Sequence, residues 1–448
     1  MVRPPVADNI CIRCKGARLL CGKKQCPILM KHSVLKSNIP DSYKSVKKGK
    51  EVFGASPPAV FVGHQGYPKV NIGPMLPLGH YSELKNTKFL DTPENWFGKP
   101  IEEIVGYRSG MIRSNFRVGV KYQENVEETM ERVSRPARKL LESTQELTMA
   151  SNSVDTEAKF KRVWFKMQYD NHSQPQGPSG QAKEIKVIDN VKVERVVDKV
   201  VYDTDLKASE AVFGYLYDSN DISLSSMQRL FSSGLLGEKK NRKLVPTRWT
   251  ITAVDDIIGK GIREQIMHYP EIDKYFTYYG EYLDNKFLIL LMPGRWSFEM
   301  NECWNAQSIW NRAIPGVNQQ REVKPVIMTD WEPEGGMKGY ADNVTGAYYA
   351  ARKEVEEFLF HRRRQARAIV FREVAGGYVV PLGVWVIRET VKNTLSQGLK
   401  GENVQIHQTL PSALNSLNKV FQIPKKYWTK SSKLLKYIRR QSRLDKWL

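Results

Sequence analysis

Tyr275-Phe276-Thr277-Tyr278-Tyr279-Gly280-Glu281-Tyr282-Leu283-Asp284-Asn285-Lys286-Phe287-Leu288-Ile289-Leu290-Leu291-Met292 is the stretch that decides the fold. Residues 275–283 are rich in aromatic β-formers, residues 286–292 are a nearly unbroken apolar run, and Asp284-Asn285 supplies turn chemistry between them. That combination predicts a β-hairpin. A strand near 296–300 extends the same sheet, and residues 368–373, a Gly376-Gly377 turn and residues 378–386 predict a second hairpin. Helices intervene. Residues 344–364 place Tyr348, Ala351, Val355, Phe358 and Leu359 on one apolar face, and residues 388–395 form another helix. Upstream, residues 59–62 read as a short buried strand, Thr92-Pro93-Glu94 as a helix start, and residues 126–149 as a helical segment interrupted at Pro136. Interspersed strands and helices, with hairpins prominent and no internal repeat, predict an α+β body rather than a βαβ array.

At 448 residues, 41% hydrophobic and 26% charged, the chain has an ordinary globular composition. Its longest apolar run, Phe287 to Met292, has the length of a strand, so no membrane span is expected. Arg3, Asp8 and Arg13 stand where a signal peptide needs an apolar core, so a cytoplasmic location is expected. The net charge of +21 is concentrated at the ends. Residues 1–50 hold 12 Lys/Arg against two acids, and residues 424–448 hold nine against one. Such a distribution suggests contact with phosphate backbones, DNA above all. The expected organisation is a small zinc module (1–30), a basic linker (31–58), a main body (59–423) and a basic, disordered tail (424–448).

Cys11-x2-Cys14-x6-Cys21-x4-Cys26 gathers four of the five cysteines. A C-x-x-C turn aims two thiolates at one metal and a second pair completes a tetrahedron, so a structural zinc ion is expected, with an iron–sulfur cluster, a redox pair or two disulfides as the alternatives. Flanking Arg13, Lys15, Arg18, Lys23 and Lys24 favour the thiolate form. Cys303 stands apart and reads as a small buried hydrophobe.

At the other end, Gln441-Ser442-Arg443-Leu444-Asp445-Lys446-Trp447-Leu448 has the form Q-x-x-(aliphatic)-x-x-(aromatic)-(apolar). On a single 3₁₀ turn Leu444 and Trp447 eclipse, with Leu448 beside them, and the three form a plug for a partner's pocket. Tyr437, Gln441, Leu444 and Leu448 also fit the spacing of one helix face, the competing reading. The pattern resembles the peptide by which replication and repair proteins dock on the sliding clamp, PCNA.

Three internal stretches complete the picture. Residues 63–74 (Gly63-His64-Gln65-Gly66-Tyr67-Pro68-Lys69-Val70-Asn71-Ile72-Gly73-Pro74) offer glycines and Lys69 for a phosphate, although a plain turn into a second strand explains them as well. Arg108 and Arg113 lie in a basic stretch that contacts phosphate or is simply solvated. Val245-Pro246-Thr247-Arg248-Trp249-Thr250-Ile251-Thr252-Ala253-Val254-Asp255-Asp256 precedes an expected helix to Met267, with Arg248 as a further phosphate contact. Asp255 and Asp256 suit divalent Mg or Mn in phosphodiester chemistry, with Glu299, Glu302, Asp330, Glu332 and Glu334 as further ligands. Adjacent acids at a helix N-terminus equally compensate the dipole. His64, among glycines beside Lys69, is the histidine most suggestive of a role.

Together with the four-cysteine N-terminus and the clamp-like C-terminus, the stretches 63–74 and 245–256, Gly346-Ala347-Tyr348-Tyr349-Ala350-Ala351-Arg352, and Pro381-Leu382-Gly383-Val384-Trp385 before Arg388-Glu389 give the chain a clear likeness. It resembles the Nre family of archaeal DNA repair proteins over essentially its whole length. The resemblance implies a role in the DNA damage response, with the clamp as partner. A clamp-recruited, metal-dependent nuclease or nucleotide-processing enzyme and a non-enzymatic clamp-bound adaptor are the alternatives.

Overall fold

Residues along Val154–Trp164 alternate between buried and more exposed, so one face of this strand rests on a core. The computed structural model describes residues 51–121, 135–164, 176–219, 221–305, 325–378 and 380–444, and isolated positions 14, 18, 19, 26, 29, 33, 46 and 308. Lys31–Tyr169 and Pro175–Ile258 belong to one unit, and Gly259–Leu448 to another.

The first unit holds β1 (Glu51–Ser56), β2 (Val60–Val62), β3 (Lys69–Pro77), α1 (Ile101–Ser109), β4 (Met111–Gly119), α2 (Arg135–Met149), β5 (Val154–Trp164), β6 (Ser179–Val187), α3 (Arg195–Tyr202), α4 (Leu224–Ser232) and the start of α5 (Thr247–Ile266). The strands form one sheet in the order β1-β5-β6-β4-β3-β2, antiparallel except where β4 meets β6. Buried Leu140, Leu141, Thr144, Leu147 and Thr148 make a stripe along α2. Its Leu140 and Leu141 share a core with Ile72, Leu76, Phe116, Phe160 and Ile185 of the sheet.

The second unit is a sheet between two layers of helix. Its strands are β7 (Tyr275–Tyr282), β8 (Asn285–Met292), β9 (Ser297–Trp304), β10 (Val326–Glu332), β11 (Arg367–Val374) and β12 (Val404–His407), in the order β10-β9-β11-β8-β7-β12. The helices are α6 (Gly346–His361), α7 (Trp385–Leu399), α8 (Leu410–Val420), α9 (Lys425–Ser431) and α10 (Lys433–Leu444). On one face Leu288, Leu290, Met292, Ile369 and Phe371 meet Leu414, Leu417, Trp428, Leu434 and Leu435. On the other, Tyr348 of α6 packs on Phe298 at 5.1 Å and Phe358 on Tyr278 at 5.5 Å. Cover on both faces explains why β8 is apolar from Phe287 to Met292 rather than alternating. No described helix is long and apolar enough to cross a membrane.

The mixed α/β body agrees with the sequence, and the first hairpin forms with its turn one residue earlier than expected. Leu283 (φ +50°) and Asp284 (φ +59°) are the central residues, a primed turn without glycine. Asn285 instead opens β8, donating from Nδ2 to the carbonyls of Tyr282 (3.2 Å) and Leu283 (2.9 Å). The second hairpin does not form. β11 lies between antiparallel β8 and parallel β9, and the chain after it turns into a loop. There Leu382 N donates to Tyr378 Oη (2.9 Å) and Trp385 Nε1 to Leu382 O (2.8 Å). Pro381 has no N–H for a ladder and Gly383 sits at φ +106°, so α7 begins where a strand was expected.

Boundaries shift as well. Residues 51–56, expected within a linker, form β1 against β5, and the expected 59–423 body divides near residue 258. The expected disordered tail contains α9 and α10, because buried Trp428, Leu434 and Leu435 anchor it and outweigh repulsion among its lysines. The aligned side chains of Gln441 and Leu444, and residues Trp447 and Leu448 altogether, lie outside the described residues, as do Cys11 and Cys21. Cys14 is buried and Cys26 partly buried.

Candidate nucleic-acid interface

The structure brings residues 63–74 and 245–256 together. Val62 N donates to Thr247 Oγ1 (2.9 Å), tying the end of β2 to the first residue of α5. The chain then turns, with Lys69 N donating to Gly66 O at 2.9 Å. Gly66 sits at φ +81°, and a Cβ there would lie 2.9 Å from the Arg117 guanidinium, so only glycine is accommodated without strain. The turn carries the Tyr67 ring to 5.4 Å from that of Trp249, in the first turn of α5. Both rings are large and yet 47% and 46% exposed. They border a depression of about 520 Å³ whose lining includes Lys207, Leu236, Glu238 and Lys243. Sequence reading missed this pair. The available signal was a tryptophan directly after an arginine at a helix start, facing a glycine-rich turn.

Arg108 and Arg113 are not the solvated pair that their sequence context allowed. Arg108 closes α1 with its guanidinium over the Trp96 ring (4.8 Å to the centroid), and Arg113, in β4, lies over Phe61 (3.7 Å). Each is only partly exposed, and the Nε of each is shut off from solvent without a hydrogen-bond partner. Nearby Arg229 differs, donating to the carbonyls of Thr148 (2.9 Å) and Ala150 (2.8 Å). Burial lowers the pKa of both arginines, that of Arg113 to about 10, with the like charge of Arg108 adding to the effect. Asp91 is the carboxylate acting on Arg108, and burial pushes it up to about 6 against the pull of Arg108 and Arg229. A buried charge is ordinarily paired. The ring contact holds each guanidinium in place and leaves its terminal nitrogens for an acceptor such as phosphate.

The other expected phosphate residues are surface groups. His64, Lys69 and Arg248 are exposed. Asp255 is buried and Asp256 half-buried, in the third turn of α5 rather than at its N-terminus, so dipole compensation does not account for them. Arg248 faces solvent from the first turn, and none of His64, Lys69, Arg248, Asp255 and Asp256 lines the depression.

The acids of the second unit have structural partners. Glu299 accepts from Lys433 N (2.6 Å), Leu434 N (3.2 Å), Thr329 Oγ1 (2.8 Å) and Ser432 Oγ, capping α10. Glu302 pairs with Arg372, and Asp330 accepts from Val344 N (2.6 Å) and Asn343. Glu332 accepts from Trp296 Nε1 (3.0 Å) and pairs with Arg352 (3.1 Å), while Glu334 lies 4.0 Å from Arg295. Among the described residues no group of three or more His, Cys, Asp or Glu is placed to hold a metal.

Residues 20–311 match the family described as archaeal Nre, N-terminal, and residues 332–447 match archaeal Nre, C-terminal. The chain belongs to the Nre family. It is 38% identical over 385 residues to the DNA repair protein NreA of Archaeoglobus fulgidus, covering 86% of this chain and 88% of that one. To the DNA repair protein NreB of the same organism it is 36% identical over 427 residues, 95% and 97% of the two chains. To NreA of Haloferax volcanii it is 31% identical over 360 residues, 79% and 80%. No solved structure matches. The two Nre segments are not two folding halves. β7, β8 and β9 come from the first and β11 and β12 from the second, β10 runs up to the start of the second at Glu332, and β11 lies between β8 and β9. The second Nre segment therefore completes a sheet begun by the first.

Proposed function

We propose that this Nre protein acts in DNA repair, binds nucleic acid through the first unit, and docks on the sliding clamp PCNA through residues 441–448. The names of its relatives support the repair role. The observation that carries nucleic-acid binding is the pair of stacked guanidiniums, Arg108 and Arg113, whose buried Nε groups have no partner. A phosphate oxyanion at the terminal guanidinium nitrogens would supply a counter-charge to Arg113 and add to that of Asp91 on Arg108. Arg108→Gln and Arg113→Gln are each expected to weaken binding of a labelled oligonucleotide and to lower the slope of log K against log salt by about one. Structural arginines would behave otherwise, with unchanged slopes and lower melting temperatures. The metal-dependent alternative rests on Asp255 and Asp256, since Glu299, Glu302, Asp330 and Glu332 of the second unit are engaged by the protein.

The cysteine module is proposed to hold one zinc ion through Cys11, Cys14, Cys21 and Cys26, a donor set whose four thiolates suit tetrahedral zinc. Zinc would contribute folding energy there and no chemistry. Elemental analysis should find about one zinc per chain, and Cys26→Ser should loosen it while the melting transition of the two sheets stays in place. Iron in place of zinc, or no metal, would rule the assignment out.

A further inference from the structure

The depression beside Tyr67 and Trp249 plays no part in the phosphate contacts argued above. We propose that it takes an unpaired nucleobase of a nucleic-acid strand, stacked against Trp249 and Tyr67. The inference rests on the nucleic-acid reading and narrows it to strands that present a base free of its partner.

Large aromatic side chains normally sit inside a protein, and two of them exposed side by side mark a binding surface. Here the rings are 5.4 Å apart and inclined at 52°, so they form an open wedge rather than a closed stack. Behind them the floor is apolar, made of buried Leu236, Leu244 and Pro246. The volume, about 520 Å³, suits a nucleoside and is far too small for a duplex. Polar groups are few and placed at the edge. Asn241 Nδ2 donates to Glu238 Oε2 (2.6 Å), which holds the two side chains together and leaves the amide carbonyl and the second carboxylate oxygen to accept from a base edge. Exposed Lys207 and Lys243 belong to the lining, and exposed Lys69 and Arg248 lie on the two segments that carry the rings. One carboxylate and two lysines in the lining, with two further cations on the flanking segments, suit a strand with a phosphate on either side of the stacked base. An apolar peptide side chain would gain nothing from that rim. Stacking needs only the face of a base, so the site tolerates sequence while rejecting paired bases.

The test uses the full chain and three labelled probes: a short single strand carrying one 2-aminopurine, a blunt duplex, and a duplex with one extrahelical nucleotide. Trp249→Ala should weaken binding of the single strand and the bulged duplex by about tenfold or more, and that of the blunt duplex by less than about twofold. Quenching of 2-aminopurine should be seen with the wild-type chain and lost in Trp249→Ala, while Trp249→Phe retains most of both effects. Because Trp249 and Tyr67 are half exposed, neither truncation should move the melting temperature appreciably. Equal losses on all three probes, or no loss from either Trp249→Ala or Tyr67→Ala, would overturn the inference. Displacement of the single strand by micromolar dAMP would overturn it too, by making the occupant a free nucleotide. If Arg108→Gln weakens binding and Trp249→Ala does not, this inference alone falls. If the wild-type chain binds none of the probes, the nucleic-acid reading falls with it.

Discussion

Arg352→Met is expected to lower the stability of the second unit by roughly 3–5 kcal/mol, a fall of about 10 °C in melting temperature for a unit of this size. Arg352 is 1% exposed in the middle of α6. Its guanidinium lies 3.1 Å from Glu332 Oε2 and 3.6 Å from Glu356 Oε1, and both carboxylates are fully buried. Removing the cation leaves two carboxylates in the core, with Arg263 3.8 Å from Glu332. The unpaired charge, more than the lost attraction, sets the size of the effect. Arg352→Met combined with Glu356→Leu should therefore cost less than Arg352→Met alone, because the second change removes one of the two buried carboxylates. Chemical denaturation of the three proteins measures this, and a double variant less stable than the single one would show that packing rather than charge dominates. Space also constrains the network. A Cβ at Gly259 would fall 2.4 Å from Glu356 Oε2, so α5 approaches α6 there without a side chain.

Local signals in the sequence were legible and long-range ones were not. The hairpin of β7 and β8 was readable because an apolar run bounded by turn residues has few alternatives. Its turn moved by one residue because Asn285 works better as a buried partner of Arg372 and of two turn carbonyls than as a turn residue. The false hairpin after β11 came from β-branched residues whose neighbours, Pro381 and Gly383, cannot hold a ladder. Arg352 read as one letter of a motif at the end of an apolar helix stretch, and nothing local shows that a carboxylate of β10 waits for it. Arg108 and Arg113 were legible as basic residues but not as stacked and buried ones, since Trp96 and Phe61 reach them only through the fold. Tyr67 and Trp249 likewise meet only because Val62 and Thr247 are joined by a hydrogen bond across two distant segments.

Leu444→Ala with Trp447→Ala is expected to abolish binding to PCNA at an unchanged melting temperature, whereas Trp428→Ala should lower stability by about 3–5 kcal/mol. The contrast follows from where the tail is anchored. Trp428 is fully buried, 4.9 Å from Phe421 and 5.7 Å from Phe371 between ring centroids, and Leu434 and Leu435 lie in the same core. Glu299 caps the N-terminus of α10, and Tyr437 packs on Trp331 at 5.6 Å. The helix alternative raised by the spacing of Tyr437, Gln441, Leu444 and Leu448 thus describes the backbone as far as Leu444, the last described residue. Lys433–Leu444 is a stem fixed at its base, and the stretch 441–448 proposed to dock on PCNA begins on its last described turn. A plug used in trans adds little to its own fold, so losing Leu444 and Trp447 should be silent in a melting curve. Loss of a buried aromatic hot spot costs about 2 kcal/mol or more in binding, a factor of roughly thirty for Trp447 alone. Gln441→Ala should cost less, since water partly replaces an amide contact. A peptide of residues 436–448 lacks the anchor and keeps the plug, so calorimetry should still detect its binding to PCNA, more weakly by the cost of ordering the free peptide. Absence of binding at high micromolar peptide would falsify the docking role. A lower melting temperature for the Leu444→Ala, Trp447→Ala protein would instead place those side chains on the helix face that the core already covers.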